Sequence, residues 1–377
     1  MLECAGVFEA LHDEDISFFA GVPDSLLKDF CGYLTDHVPA EAHVIAANEG
    51  SAVALAAGHH LATGRIGAVY MQNSGLGNAI NPLVSLVDPD VYAIPLLLLI
   101  GWRGQPGKQA DEPQHLKQGQ LTLKLLETLE LPYRVMSIEP ETARSDVAWA
   151  VKSARSASAP SALVIEKGTF APYPCQGPPT VESTDPLTRE SAISLLAEHL
   201  DPNTLIVSTT GKASRELFEC RASRDELPGR DFLTVGSMGH ASQIALGISL
   251  AQPGRSTCCL DGDGALIMHM GGLTTIGSRA AGNFLHVVLN NGAHDSVGGQ
   301  STAGFDIDIP AIARACGYRQ VAHATTANEL TRALDHFSDT SGPSLLEVRV
   351  VRGARTDLGR PTTSPRENKQ VFMCHFV

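Results

Sequence analysis

Aromatic side chains are scarce in this chain: Phe, Tyr and Trp together make up 5% of its 377 residues, with only 2 tryptophans. With 35 glycines and 22 prolines beside them, the composition suits an α/β chain with many tight strand-to-helix turns better than an all-β sandwich. Basic charge is also in deficit, 28 Lys and Arg against 41 Asp and Glu, for a net charge of −13. Such a chain repels nucleic acid and anionic membrane, so neither is an expected partner. A small anionic substrate then requires a pocket that is locally basic. Long apolar runs are missing as well. The longest, Tyr92–Ile100, falls far short of the ~20 residues of a membrane helix and reads as a buried parallel strand. The N-terminus carries acidic residues and no basic stretch ahead of an apolar one, so no signal peptide is expected and the cytoplasm is the expected compartment. The 8 cysteines (Cys4, Cys31, Cys175, Cys220, Cys258, Cys259, Cys316 and Cys374) form no CxxC or Cys/His spacing. They read as buried thiols rather than as a zinc site or a disulfide framework.

What is present is alternation. The length fits two domains of roughly 150–200 residues. Helical and strand-like segments alternate through residues 1–168, pause over a proline-rich stretch at 169–188, and resume over 189–351. Prolines 172, 174, 178, 179 and 186 fall in that pause, which is read as a linker. The two halves are expected to be two doubly wound, mostly parallel α/β sheets without detectable sequence repetition. Within them the pattern predicts helices over 119–129 and 264–277, among others. The polar tail at 352–377 is left open between an ordered arm and a loose end.

The chemistry-bearing signal is Gly262-Asp263-Gly264 followed by Asn290-Asn291. A strand runs into the first cluster, a helix starts after it, and the next strand ends at the second. Both clusters therefore emerge at the carboxyl edge of adjacent parallel strands, where open α/β sheets bind ligands. A carboxylate, an amide oxygen and a backbone carbonyl are hard ligands suited to Mg²⁺ shared with a phosphate. The glycines allow close approach of a diphosphate to a helix N-terminus. A ligand-free glycine turn is the plainer reading of Gly-Asp-Gly alone; the matched Asn pair argues against it.

This pattern resembles that of the thiamine diphosphate enzymes. The resemblance implies a pyrimidine-binding domain in the first half and a diphosphate- and Mg²⁺-binding domain in the second. It implies that Asp263, Asn291 and the Ala293 carbonyl hold the metal, with Gly262 and Gly264 against the cofactor. Glu49, where a strand passes into an Ala-rich helix, is the implied catalytic carboxyl that contacts N1′ of the aminopyrimidine; a favourable first-turn glutamate is its bland alternative. Ser237 and Met238 match the segment that supports the bent cofactor, with Met238 wedged between its rings. Gln72 and Asn73 match, more loosely, a turn lining the pyrimidine pocket.

Two cofactor domains without a middle domain resemble the small decarboxylases of phosphonopyruvate and sulfopyruvate. The segments at 21–25, 101–104, 111–115, 291–300 and 357–363 are closer to the phosphonopyruvate enzymes. The implied reaction converts 3-phosphonopyruvate to phosphonoacetaldehyde and CO₂ in phosphonate or antibiotic biosynthesis. Sulfopyruvate decarboxylation is the first alternative, disfavoured because that enzyme usually divides its domains between two chains. An acetolactate-synthase-like carboligase and a degenerate thiamine-binding protein are further ones. Asp24 and Ser25 are candidates for the substrate side, with simple helix capping as the competing role. His115, His240 and His294 are candidates for proton transfer or anion anchoring, and Arg103, Lys108 and Arg360 for neutralising the phosphonate. By the resemblance, the glutamate and the metal motif meet across a subunit interface, so a homodimer or higher homo-oligomer is expected.

Overall fold

Two runs of alternating strand and helix each close into a six-stranded parallel sheet. The computed structural model describes residues 1–109, 111–174, 187–226, 228–338 and 341–376. It divides into two units, Met1–Pro178 with Val297–Gln300, and Pro179–Ser296 with Ser301–Val377. Most of the expected linker, residues 175–186, lies outside the described residues.

The first unit runs α1 (Cys4–Asp13), β1 (Phe19–Gly21), α2 (Lys28–His37), β2 (His43–Ile45), α3 (Glu49–Thr63), β3 (Gly67–Gln72), α4 (Leu76–Ser85), β4 (Leu96–Gly101), α5 (Pro113–Thr128), β5 (Tyr133–Val135), α6 (Pro140–Ala157) and β6 (Ser161–Ile165). Its sheet order is β2-β1-β3-β4-β6-β5. The central strands are buried on both faces, which is why Leu96–Gly101 reads as an unbroken apolar run. Alternation along β3 sends Ala68 and Tyr70 into one core layer and Val69 and Met71 into the other.

The second unit runs α7 (Arg189–His199), β7 (Leu205–Ser208), α8 (Lys212–Ala222), β8 (Asp231–Leu233), α9 (Ala241–Ala251), β9 (Thr257–Gly262), α10 (Asp263–Met268), α11 (Gly272–Arg279), β10 (Phe284–Asn290), α12 (Ile309–Ala315), β11 (Gln320–Ala324), α13 (Ala327–Ser338), β12 (Ser344–Arg349) and α14 (Pro365–Met373). Read from one edge its order is β8-β7-β9-β10-β12-β11. Counting strands from the start of each unit, both sheets follow the order 2-1-3-4-6-5. The likeness expected between the halves is thus a shared winding, which reverses direction between the first and third strands of each sheet. That reversal opens a crevice at the carboxyl edge.

Two elements depart from expectation, and a third, left open by the sequence, is decided by the structure. The helix foreseen over 264–277 is two helices, broken at His269–Gly271, where His269 leaves helical geometry (φ −133°, ψ 44°). Helix α5 starts at Pro113, six residues before the expected onset, because proline at the first turn has no amide hydrogen to leave unpaired. The tail is ordered: Ser364 and Glu367 form a capping box at the start of α14.

Candidate active site

At the carboxyl edge of the first sheet, Glu49 opens α3 directly after Asn48, whose side chain accepts from Ser51 N at 2.9 Å and so sets the helix start. Glu49 is buried, and its Oε2 accepts from Asn78 Nδ2 at 2.7 Å. Gly75 is the surface it lies on. A Cβ there would stand 2.4 Å from Glu49 Oε1 and 2.5 Å from its Cγ. Gln72, at the end of β3, donates to Ser74 Oγ at 2.6 Å. Asn73 is buried, with its amide divided between Arg103 O (2.8 Å) and Thr122 Oγ1 (2.9 Å) while its oxygen accepts from Arg103 N at 3.3 Å. Its side chain therefore ties the ends of β3 and β4 to α5.

A second cluster gathers after β1 and β4. Asp24 is fully buried, with Oδ2 accepting from Leu26 N at 3.0 Å. Burial pushes its carboxyl up to about 6, against the pull of the Leu26 amide and the Arg103 charge. Ser25 does not cap α2, whose N-cap is Leu27; instead its hydroxyl accepts from Arg103 Nη1 at 2.7 Å. Arg103 grips Asp111 with two parallel bonds, Nε to Oδ2 at 2.7 Å and Nη2 to Oδ1 at 2.6 Å. The guanidinium holds the Asp111 carboxyl down at about 2. His115 is buried close by. Burial and the Arg103 charge lower its affinity for a proton, and its Nδ1 has no partner among the described residues. Lys108 stands apart, exposed and 3.6 Å from Glu166.

In the second unit, β9 delivers Gly262 in extended geometry (φ −113°, ψ 157°) as the N-cap of α10, and Asp263 is that helix's first residue. The register pairs Gly262 with Leu289 on β10, so Asn290 and Asn291 flank Asp263. The Asp263 carboxyl is buried and pushed up to about 6 by that burial. The groups opposing the shift are neutral donors: the Thr302 hydroxyl and the backbone N–H groups of Asp263, Asn291 and Gly264. A buried carboxylate answered only by neutral donors, with an amide oxygen and a backbone carbonyl in the same turn, fits a hard divalent cation. Asn290 is structural, donating to Gly304 O and Glu347 Oε1, both at 2.7 Å. Asn291 Oδ1 accepts from Ala293 N at 3.0 Å. Arg352, just past β12, donates to Asn291 O at 3.3 Å and Gly292 O at 3.1 Å.

Gly264 leaves the space that the remaining candidates approach. A Cβ on it would lie 2.9 Å from His294 Cε1, 3.0 Å from its Nδ1 and 3.4 Å from Met238 Cε. Burial lowers His294 to about 4, so the ring is neutral at physiological pH. Met238 rides on a tight loop in which Gly236, Ser237 and Gly239 all have positive φ. The loop is anchored by Gly236 N donating to Thr210 Oγ1 at 3.0 Å. His240 is exposed, next to His269 at 4.5 Å between ring centroids. Arg360 lies exposed on the tail.

Sequence reasoning did not find Thr302 or Arg352, which touch Asp263 and Asn291; no motif spacing marks them, since long-range folding brings them in. Asn78 closes the 72–78 turn segment that resembles the pyrimidine-pocket turn, but its bond to Glu49 was not foreseen. Asp111 and Arg103 each stood in a segment singled out in the sequence, but their pairing was not foreseen. The buried set Cys259, Asp261 and His286 has metal-like donors within 4.8 Å of one another. His286 nevertheless faces Tyr318 Oη at 3.0 Å and Asp261 Oδ2 at 3.4 Å, which makes a hydrogen-bond chain inside the core.

Two family models match this chain: the thiamine pyrophosphate enzyme N-terminal TPP-binding domain over residues 5–124, and its C-terminal counterpart over residues 210–348. Along nearly its whole length the chain is 35% identical to the phosphonopyruvate decarboxylase of Streptomyces viridochromogenes, covering 99% of this chain and 94% of that one. The chain belongs to the phosphonopyruvate decarboxylase family of thiamine pyrophosphate enzymes. The phosphonopyruvate decarboxylase of Streptomyces hygroscopicus gives the same identity over 99% of this chain and 93% of the relative. A sulfopyruvate decarboxylase from Methanosarcina acetivorans is 29% identical over 97% of this chain and 95% of its own. That last relative corrects one argument made from sequence. A sulfopyruvate enzyme also exists with both domains on one chain, so fusion alone does not separate the two substrates. As a family member the chain is a thiamine diphosphate-dependent carbon–carbon lyase of a 2-oxo acid.

Proposed function

We propose that the chain decarboxylates 3-phosphonopyruvate to phosphonoacetaldehyde and CO₂ using thiamine diphosphate and Mg²⁺. The observation that carries this is the 35% identity to phosphonopyruvate decarboxylases over 99% of the chain. The buried Asp263 beside the Asn291 turn supports it. When bound, the thiazolium supplies an electron sink for the pair left by departing CO₂. Asp263, Asn291 and the Ala293 carbonyl would hold the metal, and Gly262 and Gly264 would leave room for the diphosphate at the start of α10. Met238 supports the cofactor from its loop, with Ser237 at the loop's strained position and Gln72 and Asn73 lining the pyrimidine side. Glu49 would offer its carboxyl to N1′ of the pyrimidine as the proton-exchanging group. Asp24, raised to about 6 by burial, is the group best matched to exchanging a proton with substrate near neutrality. His115 and His294, both neutral, orient by hydrogen bonding, with His240 at the margin. Arg103 with Ser25 meets the anion, although Asp111 already shares its charge.

Each unit carries only part of this donor set, and we propose a homodimer as the working form, in the cytoplasm, serving phosphonate biosynthesis. The full-length likeness to a sulfopyruvate decarboxylase keeps the sulfonate as a second reading. Aldehyde release from phosphonopyruvate, sulfopyruvate and pyruvate, each with and without cofactor and Mg²⁺, separates them. Phosphonopyruvate is expected to lead in kcat/KM. A lead for sulfopyruvate would transfer the assignment, and equal use of pyruvate would remove it.

A further inference from the structure

Thr302 lies 39 residues beyond Asp263 in sequence, yet its hydroxyl donates to Asp263 Oδ2. The direction of that bond is set by its surroundings. Thr302 Oγ1 already accepts from Gly304 N at 3.1 Å, so its own proton is left for the carboxylate. The backbone is equally fixed. Thr302 N donates to Gly292 O at 3.0 Å, and Ala293 pairs with Ser301 in an antiparallel bridge. Two residues on, Gly304 passes so near that a Cβ would stand 2.8 Å from Asp263 Oδ2 and 2.6 Å from Asn290 Oδ1. The returning chain is thus shaped to bring one hydroxyl, and no side-chain bulk, against one oxygen of Asp263. A β-branched residue suits this task because its χ1 is stiff.

We propose that Thr302 is a positioning residue that commits Asp263 to one-oxygen metal binding and thereby selects Mg²⁺ over Ca²⁺. The proposal rests on the reading of Asp263 as a metal ligand. A carboxylate with one oxygen held by a hydroxyl presents a single ligand, which suits the strict six-oxygen shell of Mg²⁺; Ca²⁺ accepts two-oxygen carboxylates and higher coordination. Partners of ligating groups commonly change metal affinity by about 10–100-fold when removed.

The test is calorimetric titration of Mg²⁺ and, separately, Ca²⁺ into the full chain with saturating thiamine diphosphate. Melting temperatures of the metal-free proteins are recorded alongside. Thr302→Val keeps the shape and removes the hydroxyl, and it is expected to weaken Mg²⁺ by about 10–100-fold and to narrow the preference over Ca²⁺. Thr302→Ser restores the hydroxyl and is expected to restore both. Wild-type affinity and selectivity in Thr302→Val, while Asp263→Ala loses binding, overturns the positioning role and leaves Asp263 as the ligand. Equal weakening in the Val and Ser variants with matching losses of melting temperature also overturns it, since shape rather than the hydroxyl would then matter. No Mg²⁺ binding by the wild type overturns the reading of Asp263 itself.

Discussion

At the residue scale the site is built by excluded side chains as much as by functional ones. Gly75 holds no atom where Glu49 must lie, so Gly75→Ala places a methyl group 2.4–2.6 Å from the carboxyl and forces it aside. We expect a stability loss of about 1–3 kcal/mol and a fall in kcat close to that of Glu49→Gln. The Gln variant keeps the shape but not the proton, and its kcat should fall by about 10²–10⁴ with cofactor binding retained; turnover and calorimetry check both. Asp24 gives a pH signature. Its folded-state value is raised from 3.8 to about 6, so the folded protein holds the proton that the unfolded chain releases. Stability therefore falls as pH rises between those values, and the deficit is complete above them. Asp24→Asn, which can still accept from Leu26 N, should stabilise the cofactor-free protein by roughly 2–3 kcal/mol at pH 8, fading towards pH 4, while activity drops. A thermal-unfolding series over pH reads this; an unchanged or lower stability at pH 8 contradicts it. Asp263 and Asn291 were legible in sequence because strand, turn and helix bring them to one edge by local geometry. Thr302 and Arg352 were not, because only the returning chain brings them there.

At the element scale the strands and most helices followed from apolar periodicity, and the departures came from features that periodicity does not encode. The apolar pattern over 264–277 continues through His269–Gly271, yet the backbone breaks there. The tail's helix was hidden by its polarity: α14 buries little beyond Asn368 and Phe372. Its attachment is polar too. Asn368 Oδ1 accepts from Leu233 N at 3.0 Å, and its Nδ2 donates to Asp231 O at 2.9 Å. One amide side chain thus completes the outer edge of β8. Replacing it with alanine leaves a buried donor and acceptor unpaired, and we expect a loss of about 1–3 kcal/mol, read by thermal unfolding. Wild-type stability in Asn368→Ala would show that the tail rests on β8 without supporting it.

At the scale of the whole molecule, two sheets share one winding order, with no sequence repeat evident between the halves. Burial on both faces asks only for apolar side chains of suitable volume, so residue identity drifts while strand order persists. The excess of acid over base, a net −13, disfavours nucleic acid and anionic membrane, and among the described residues no helix is long and apolar enough to cross a membrane. If a homodimer is the working form, sedimentation velocity of the active protein should show one species at twice the chain mass of 39.9 kDa; full activity in a monomer peak would exclude it. The central claim is that the chain takes up thiamine diphosphate through a Mg²⁺ cradle that includes Asp263. Calorimetric titration of thiamine diphosphate into the wild type and Asp263→Ala, each with and without Mg²⁺, tests it most directly. The account predicts tight, Mg²⁺-dependent uptake by the wild type and its loss in Asp263→Ala. Uptake indifferent to both the metal and Asp263 would contradict it.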